Sequence, residues 1–141
     1  WGTWYTMVDF FLTSFILGGS LLLVLARANK ETLTAVAGIT DGIMALVLLY
    51  AALTIPYLAG LSSGNGAAAA SAALLAGRFR VLLVLKWLLV FAGAMLGLVA
   101  KRDQEKAPGY LSWALVVLAV GFVAGRYLFY ATGVATGIGL M

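Results

Sequence analysis

Apolar residues run in long blocks over about residues 4–28, 33–58, 79–100 and 109–132. Each block meets the length a membrane-crossing helix needs, about 20 residues at about 1.5 Å rise per residue. None shows the strict polar–apolar alternation of a transmembrane β-strand. The pattern therefore predicts an all-α fold. It is an integral membrane bundle of four transmembrane helices, a single domain over residues 1–141.

Composition strengthens the prediction. Hydrophobic residues make up 64% of the chain and charged residues 10%, with a mean hydropathy of +1.07. A soluble domain carries about 25% charged residues, and a chain this apolar has too little polar surface to cover a core in water. Lipid tails solvate the outside of such a molecule instead.

The links between blocks are short and polar at two places. Residues 27–31 (Arg-Ala-Asn-Lys-Glu) join the first two blocks, and residues 101–106 (Lys-Arg-Asp-Gln-Glu-Lys) join the last two, with Pro108 suited to a helix's first turn. The middle link, 60–77, is rich in Gly, Ala and Ser. It reads equally as a flexible loop or, through the Ala-rich run from Ala67 to Ala76, as a short helix lying at the interface. Arg27, Lys30, Lys101, Arg102 and Lys106 occupy the first and third links. The positive-inside rule then places those links in the cytoplasm, the middle link outside and both termini outside, with Arg78 and Arg80 arguing mildly against. Trp1, Trp4 and Tyr5 at one end and Tyr110 and Trp113 at the other fit interfacial aromatic belts. No block carries the basic leader of a signal peptide, and a start at Trp1 rather than Met reads as a fragment or a processed product.

What is missing excludes several chemistries. Without Cys the chain neither ligates an iron–sulfur cluster nor forms a disulfide, and without His it lacks the usual haem ligand. No Ser-His-Asp or Cys-His nucleophile can be assembled. No glycine run resembles a phosphate-binding loop, and the small positive excess is confined to links, which gives nucleic-acid binding no support.

The glycines have a packing explanation. Gly38 and Gly42, Gly93 and Gly97, Gly121 and Gly125, and Gly133 and Gly137 each form a small-xxx-small pair of the kind that lets helix backbones approach closely in lipid. Packing within one bundle is the plain reading; a homodimer through one such face is the sharper one.

Asp9, Asp41, Lys86 and Arg126 lie inside the spans, where charge is costly and usually functional. Asp9 shares a helix face with Thr6, Thr13 and Ser20, so one side of the first helix faces the interior or a partner. Asp41 lies on a small face with Ala37, Gly38, Gly42 and Ala45, Lys86 on the side of Gly93, and Arg126 among Phe122, Phe129 and Tyr130. In the expected topology Asp9, Arg78, Arg80, Lys86 and Arg126 share the outer half, which makes Asp9–Arg126 or Asp9–Lys86 pairing geometrically feasible and Asp41–Lys86 a longer reach. The plain reading is mutual pairing or snorkelling to the headgroups. The cation excess at the outer end suggests an anionic partner surface or substrate.

These residues also carry a resemblance. Residues 4–19 (Trp-Tyr-Thr-Met-Val-Asp-Phe-Phe-Leu-Thr-Ser-Phe-Ile-Leu-Gly-Gly) resemble the fifth helix of the dimethyl sulfoxide reductase membrane anchor, its C subunit. Residues 80–85 (Arg-Val-Leu-Leu-Val-Leu) resemble a later stretch of that family, and residues 124–133, with Gly137, its closing Gly-Arg-x-x-Phe-Tyr segment. Order and spacing agree across nearly the whole chain.

The resemblance implies an eight-helix anchor, of which this chain corresponds to the second half, in a bacterial or archaeal cytoplasmic membrane with both termini outside. It implies an iron–sulfur subunit and a molybdopterin catalytic subunit as partners, which alone hold those cofactors, and menaquinol as electron donor, with no haem and no covalently bound group. The His and acidic residues linked to quinol in the family belong to its first half and have no counterpart here. Either this is a partial chain, with the other half of the anchor as a further partner, or a four-helix relative works with another subunit. Arg126, Arg80, Arg78, Lys86, Asp9 and Tyr130 are then the candidates for quinol binding or partner docking. Two other readings remain: a small transporter or proton channel relaying through Asp9, Asp41 and Lys86, and a purely structural anchor without a quinol site.

Overall fold

A computed structural model describes residues 4–29, 33–64 and 66–138. Expectations that fall on Trp1, Lys30 and Glu31, and on the surroundings of Gly133 and Gly137, lie outside the described residues. The elements are α1 (Trp4–Ala28), α2 (Leu33–Ser63), α3 (Ala67–Ala76), α4 (Arg80–Arg102) and α5 (Ala107–Ile138). Among the described residues there is no strand. Helices α1, α2, α4 and α5 are each long and apolar enough to cross a membrane.

Two boundaries differ from expectation. Helix α2 continues through Pro56 to Ser63, and α5 continues past residue 132 to Ile138. The middle link resolves in favour of the helix. Gly66, at φ 61° and ψ −119°, takes a positive-φ conformation that favours a residue without a Cβ, and α3 begins directly after it. Helix α3 packs on α2, α5 and α4.

The spans form a ring in which neighbours are α1–α2, α2–α4, α4–α5 and α5–α1. All run antiparallel to their neighbours, as cross-contacts show: Tyr5 meets Thr54, Gly19 meets Ile43, Gly97 meets Thr40, and Gly93 meets Leu118. Bulky apolar side chains such as Phe11, Phe15, Leu22, Leu88, Val120 and Val123 point outward. Several hydroxyls point inward: Thr13, Ser20, Thr40, Thr54 and Thr132 are all buried. Each donates to the carbonyl four residues earlier, at 2.7–2.9 Å. That back-bonding satisfies a buried hydroxyl where no water is at hand. The hydroxyls thus sit satisfied within a largely apolar core, inside an exterior that is apolar as well, as lipid allows.

The glycine pairs divide. Gly93 and Gly121 seat α4 against α5: a Cβ at Gly93 would lie 2.6 Å from Leu118 Cγ, and one at Gly121 would lie 3.2 Å from Leu89 Cβ. Gly97 approaches Thr40 more loosely, at 3.9 Å. Gly38 and Gly42 correct the expectation of packing within the bundle, because both are exposed and a Cβ at either would meet nothing within 4 Å. Small residues permit close approach but do not enforce it. The neighbour of this stretch of α2 is set instead by Val36, Thr40, Ile43 and Val47 on its buried side. Gly42→Ala is therefore expected not to destabilise the purified chain, and to stabilise it by up to about 1 kcal/mol through helix propensity, read as thermal unfolding.

The end of the bundle carrying the α1–α2 and α4–α5 links is tied by charge. Arg27 donates to the Gln104 carbonyl at 2.6 Å, and Lys101 pairs with Asp41 at 2.7 Å. Asp41 thus has its own partner, in a half-exposed position where ion pairs contribute about 0–1 kcal/mol. Tyr5 also departs from expectation: it is buried, accepts or donates a hydrogen bond with Thr54 at 2.9 Å, and stacks on Tyr57 with centroids 3.8 Å apart. Trp4 and Trp113, at opposite ends, are exposed as an aromatic belt requires.

Candidate functional site

The polar faces of the spans converge near the α3 end. Helix α1 brings Asp9 and Thr13 inward, four residues apart on one face. Helix α2 brings Tyr50, Thr54 and Tyr57 on its own face. Helices α4 and α5 bring Lys86 and Arg126.

These groups form one continuous chain. Arg126 Nη2 donates to Thr13 Oγ1 at 3.2 Å, and Arg126 Nη1 lies 3.4 Å from Asp9 Oδ2. The other carboxylate oxygen, Oδ1, accepts from the Tyr50 hydroxyl at 2.8 Å. That hydroxyl in turn accepts from Lys86 Nζ at 2.7 Å. The result is a directed series, Lys86 to Tyr50 to Asp9, with Arg126 holding the far side of the carboxylate. Tyr50 is 1% exposed and Lys86 8%. Arg126 also lies over the Phe10 ring at 5.2 Å, and Lys86 over the Trp87 ring at 5.3 Å, contacts that stabilise a cation away from water.

Asp9–Arg126 is therefore a direct pair, while Asp9–Lys86 is bridged. The reason is the ring order. Helices α1 and α4 sit diagonally, and Tyr50 from α2 reaches between them. Sequence reasoning missed Tyr50. Its signal was depth: a tyrosine in mid-span, far from the interfacial belts, needs a buried partner for its hydroxyl. Gly125 also has a different task from the one expected. A Cβ there would lie 2.8 Å from Lys86 Cε, so the glycine makes room for the lysine stem rather than for a backbone.

Lys86 and Asp9 both line a cleft at the α3 end, with Tyr5, Tyr57, Ser71 and Phe129 among its other walls. Every helix contributes to it. Arg78 and Arg80 do not join the cluster; both are exposed at the start of α4, with Arg78 over the Phe79 ring at 6.0 Å. Tyr130 is exposed on α5 and stacks edge-on against Phe129.

Below the cluster lies an apolar layer. Ile16, Val47, Val90 and Leu118, one from each span, are each at most 1% exposed. They separate Asp9 and Lys86 from the Asp41–Lys101 pair, so the residues of the expected Asp9–Asp41–Lys86 relay do not form a chain. Among the described residues, no group of His, Cys, Asp and Glu is placed to hold a metal ion.

Searches among curated proteins and among solved structures found no match. A family model described as DMSO reductase anchor subunit (DmsC) matches residues 1–132, nearly the whole chain. The resemblance carried by the first helix and by the Gly-Arg-x-x-Phe-Tyr segment thus extends across all the membrane spans, and the chain belongs to the DMSO reductase anchor subunit (DmsC) family.

Proposed function

We propose that this chain anchors a molybdopterin oxidoreductase of the dimethyl sulfoxide reductase type in a bacterial or archaeal cytoplasmic membrane. In this reading the α3 end faces outward, holds an iron–sulfur subunit, and helps pass electrons to it from menaquinol. Family membership carries association with the catalytic and electron-transfer subunits of a reductase complex. The observation that carries the finer reading is the clustering of charge at the α3 end. Arg78 and Arg80 are exposed there, and Lys86 and Arg126 flank the single carboxylate of Asp9. An exposed cationic rim suits an acidic partner surface, and a buried polar cluster behind it suits a proton-coupled donor.

The basic links at the opposite end support the orientation, since they belong in the cytoplasm by the positive-inside rule. The iron–sulfur clusters and molybdopterin belong to the partner subunits, because this chain has no Cys or His with which to hold a metal. The rival reading, a proton channel through Asp9, Asp41 and Lys86, is opposed by the layer of Ile16, Val47, Val90 and Leu118, which offers a proton no polar stepping stone. Proton flux through liposomes holding this chain alone would revive it.

Arg126→Gln tests the proposal. In a complex that still assembles, the substitution is expected to lower quinol-dependent reductase activity by about tenfold or more, the scale of a lost charge-assisted hydrogen bond. Activity equal to the parent's with normal assembly would remove Arg126 from the function.

A further inference from the structure

Away from the cleft, one stretch of the outward surface does not suit lipid. Between Thr34 and Val47 the exposed residues of α2 are Thr34, Ala35, Gly38, Asp41, Gly42 and Ala45. The other spans turn large apolar side chains outward, such as Phe15 and Leu22 on α1, Leu88 and Met95 on α4, and Val116 and Val120 on α5. At the centre of the α2 stretch the Asp41 carboxylate pairs with Lys101 at 2.7 Å, and their side chains are 60% and 38% exposed.

The pair sits at membrane depth. Asp41 is eight residues past the start of α2 at Leu33, about 12 Å along the helix axis. Helix α4, packed beside it, has 23 residues, about 34 Å against a hydrocarbon core of about 30 Å, so little of it clears the bilayer. The short side chain of an aspartate cannot reach the headgroups from that depth. Lys101, near the end of α4, is long enough to do so. Its ammonium turns back along the span instead, donating to both carboxylate oxygens of Asp41 at 2.7 and 2.8 Å. Lipid tails offer such an exposed ion pair no solvation.

We propose that a second copy of this chain covers this face, with α2 against α2 about a twofold axis along the membrane normal. Charge selects the copy over an unrelated helix. The face holds one anion and one cation side by side, so a twofold rotation sets each Asp41 against the partner's Lys101 and makes the face its own complement. An apolar helix laid there would leave both charges with no new partner. Two copies in one membrane share a topology, so their α2 helices meet in parallel, as in close-packed Gly-xxx-Gly dimers. Gly38 and Gly42 leave room for that approach, since a Cβ at either meets nothing of its own chain within 4 Å. The dimer does not depend on the reductase reading, and the cleft lies at the other end of the bundle.

The chain has no native Cys, so a single introduced cysteine reports the contact. The experiment uses the full chain in the membranes that express it, oxidised with copper phenanthroline. Ala45→Cys places the thiol on the proposed face; Val120→Cys places it at a similar level on α5, across the ring from α2, where the side chain is also exposed. The expected result is a linked species at twice the 14.8 kDa of the chain from Ala45→Cys, and little from Val120→Cys. Asp41→Lys and Lys101→Asp are then each combined with Ala45→Cys, given tags of different size and expressed together. Like charges oppose each other in either homodimer and opposite charges meet in the mixed one, so the mixed species should exceed either homodimer by about tenfold or more. Linking from Ala45→Cys that is no stronger than from Val120→Cys would overturn the proposal. So would linking only to a different polypeptide, or a statistical mixture from the charge variants. If a charge variant fails to accumulate, Gly42→Leu in the Ala45→Cys chain decides instead. It should abolish the linked species while the monomer accumulates normally, and undiminished linking would overturn the dimer.

Discussion

Asp9→Asn is expected to destabilise the bundle by about 3 kcal/mol, measured as unfolding of the purified chain in detergent. The substitution keeps the shape of the side chain and a hydrogen-bond acceptor for Tyr50, so packing is nearly unchanged. What it removes is the single negative charge between Arg126, 3.4 Å away, and Lys86, one hydroxyl further on. Two cations then share an interior with no counter-charge. Breaking a buried pair by removing one partner typically costs about 3–5 kcal/mol. The lower end applies here because the Asp9 side chain is 17% exposed and that of Arg126 30%. Combining Asp9→Asn with Arg126→Gln should recover part of the loss, since the second change removes one of the stranded cations. Strictly additive losses in the double variant would mean that the pair carries no coupling.

Gly93→Val is expected to be comparably severe for a different reason. Any Cβ at this position meets Leu118 Cγ at 2.6 Å and the Ala114 carbonyl oxygen at 3.2 Å. Leu118 is 1% exposed and packed within the core, and a carbonyl in α5 cannot move without the helix. Overpacking of this kind costs about 1–3 kcal/mol, and a β-branched side chain adds two further methyls to be placed. The expected outcome is a lowered melting temperature and parting of α4 from α5, read by cross-linking between cysteines introduced across that interface. Leu118→Ala should partly rescue Gly93→Ala by vacating the space its Cβ needs. A Gly93→Val variant as stable as the parent would show that the two helices do not approach as closely as this geometry requires. The contrast with Gly42→Ala is instructive, because both glycines belong to small-xxx-small pairs and only one has a helix against it.

Much of the molecule is legible in the chain because lipid imposes few choices. A run of about 20 apolar residues has to satisfy its backbone internally, so helices over 4–28 and 79–100 follow almost directly. The inward face of α1 is equally legible, since Thr6, Asp9, Thr13 and Ser20 recur at helical spacing. The exceptions are instructive. Helix α2 outruns its expected end at Leu58 because Pro56, Gly60 and the serines beyond read as breakers, yet α3 packs against that segment. Tyr5 reads as an interfacial anchor by position, but the stacking partner that draws it inward, Tyr57, is on another helix.

The sequence by itself determined the number of long apolar spans and the inward face of α1. These follow from hydropathy and helical period, which are properties of one segment at a time. Only the tertiary structure decided which charge meets which. Asp41 is answered by Lys101, Asp9 by Arg126 directly and by Lys86 through Tyr50, and Gly125 gives way to a lysine stem rather than to a helix. Those pairings depend on the order of helices around the ring. That order is set by how four faces pack at once, so spacing along any one helix does not contain it.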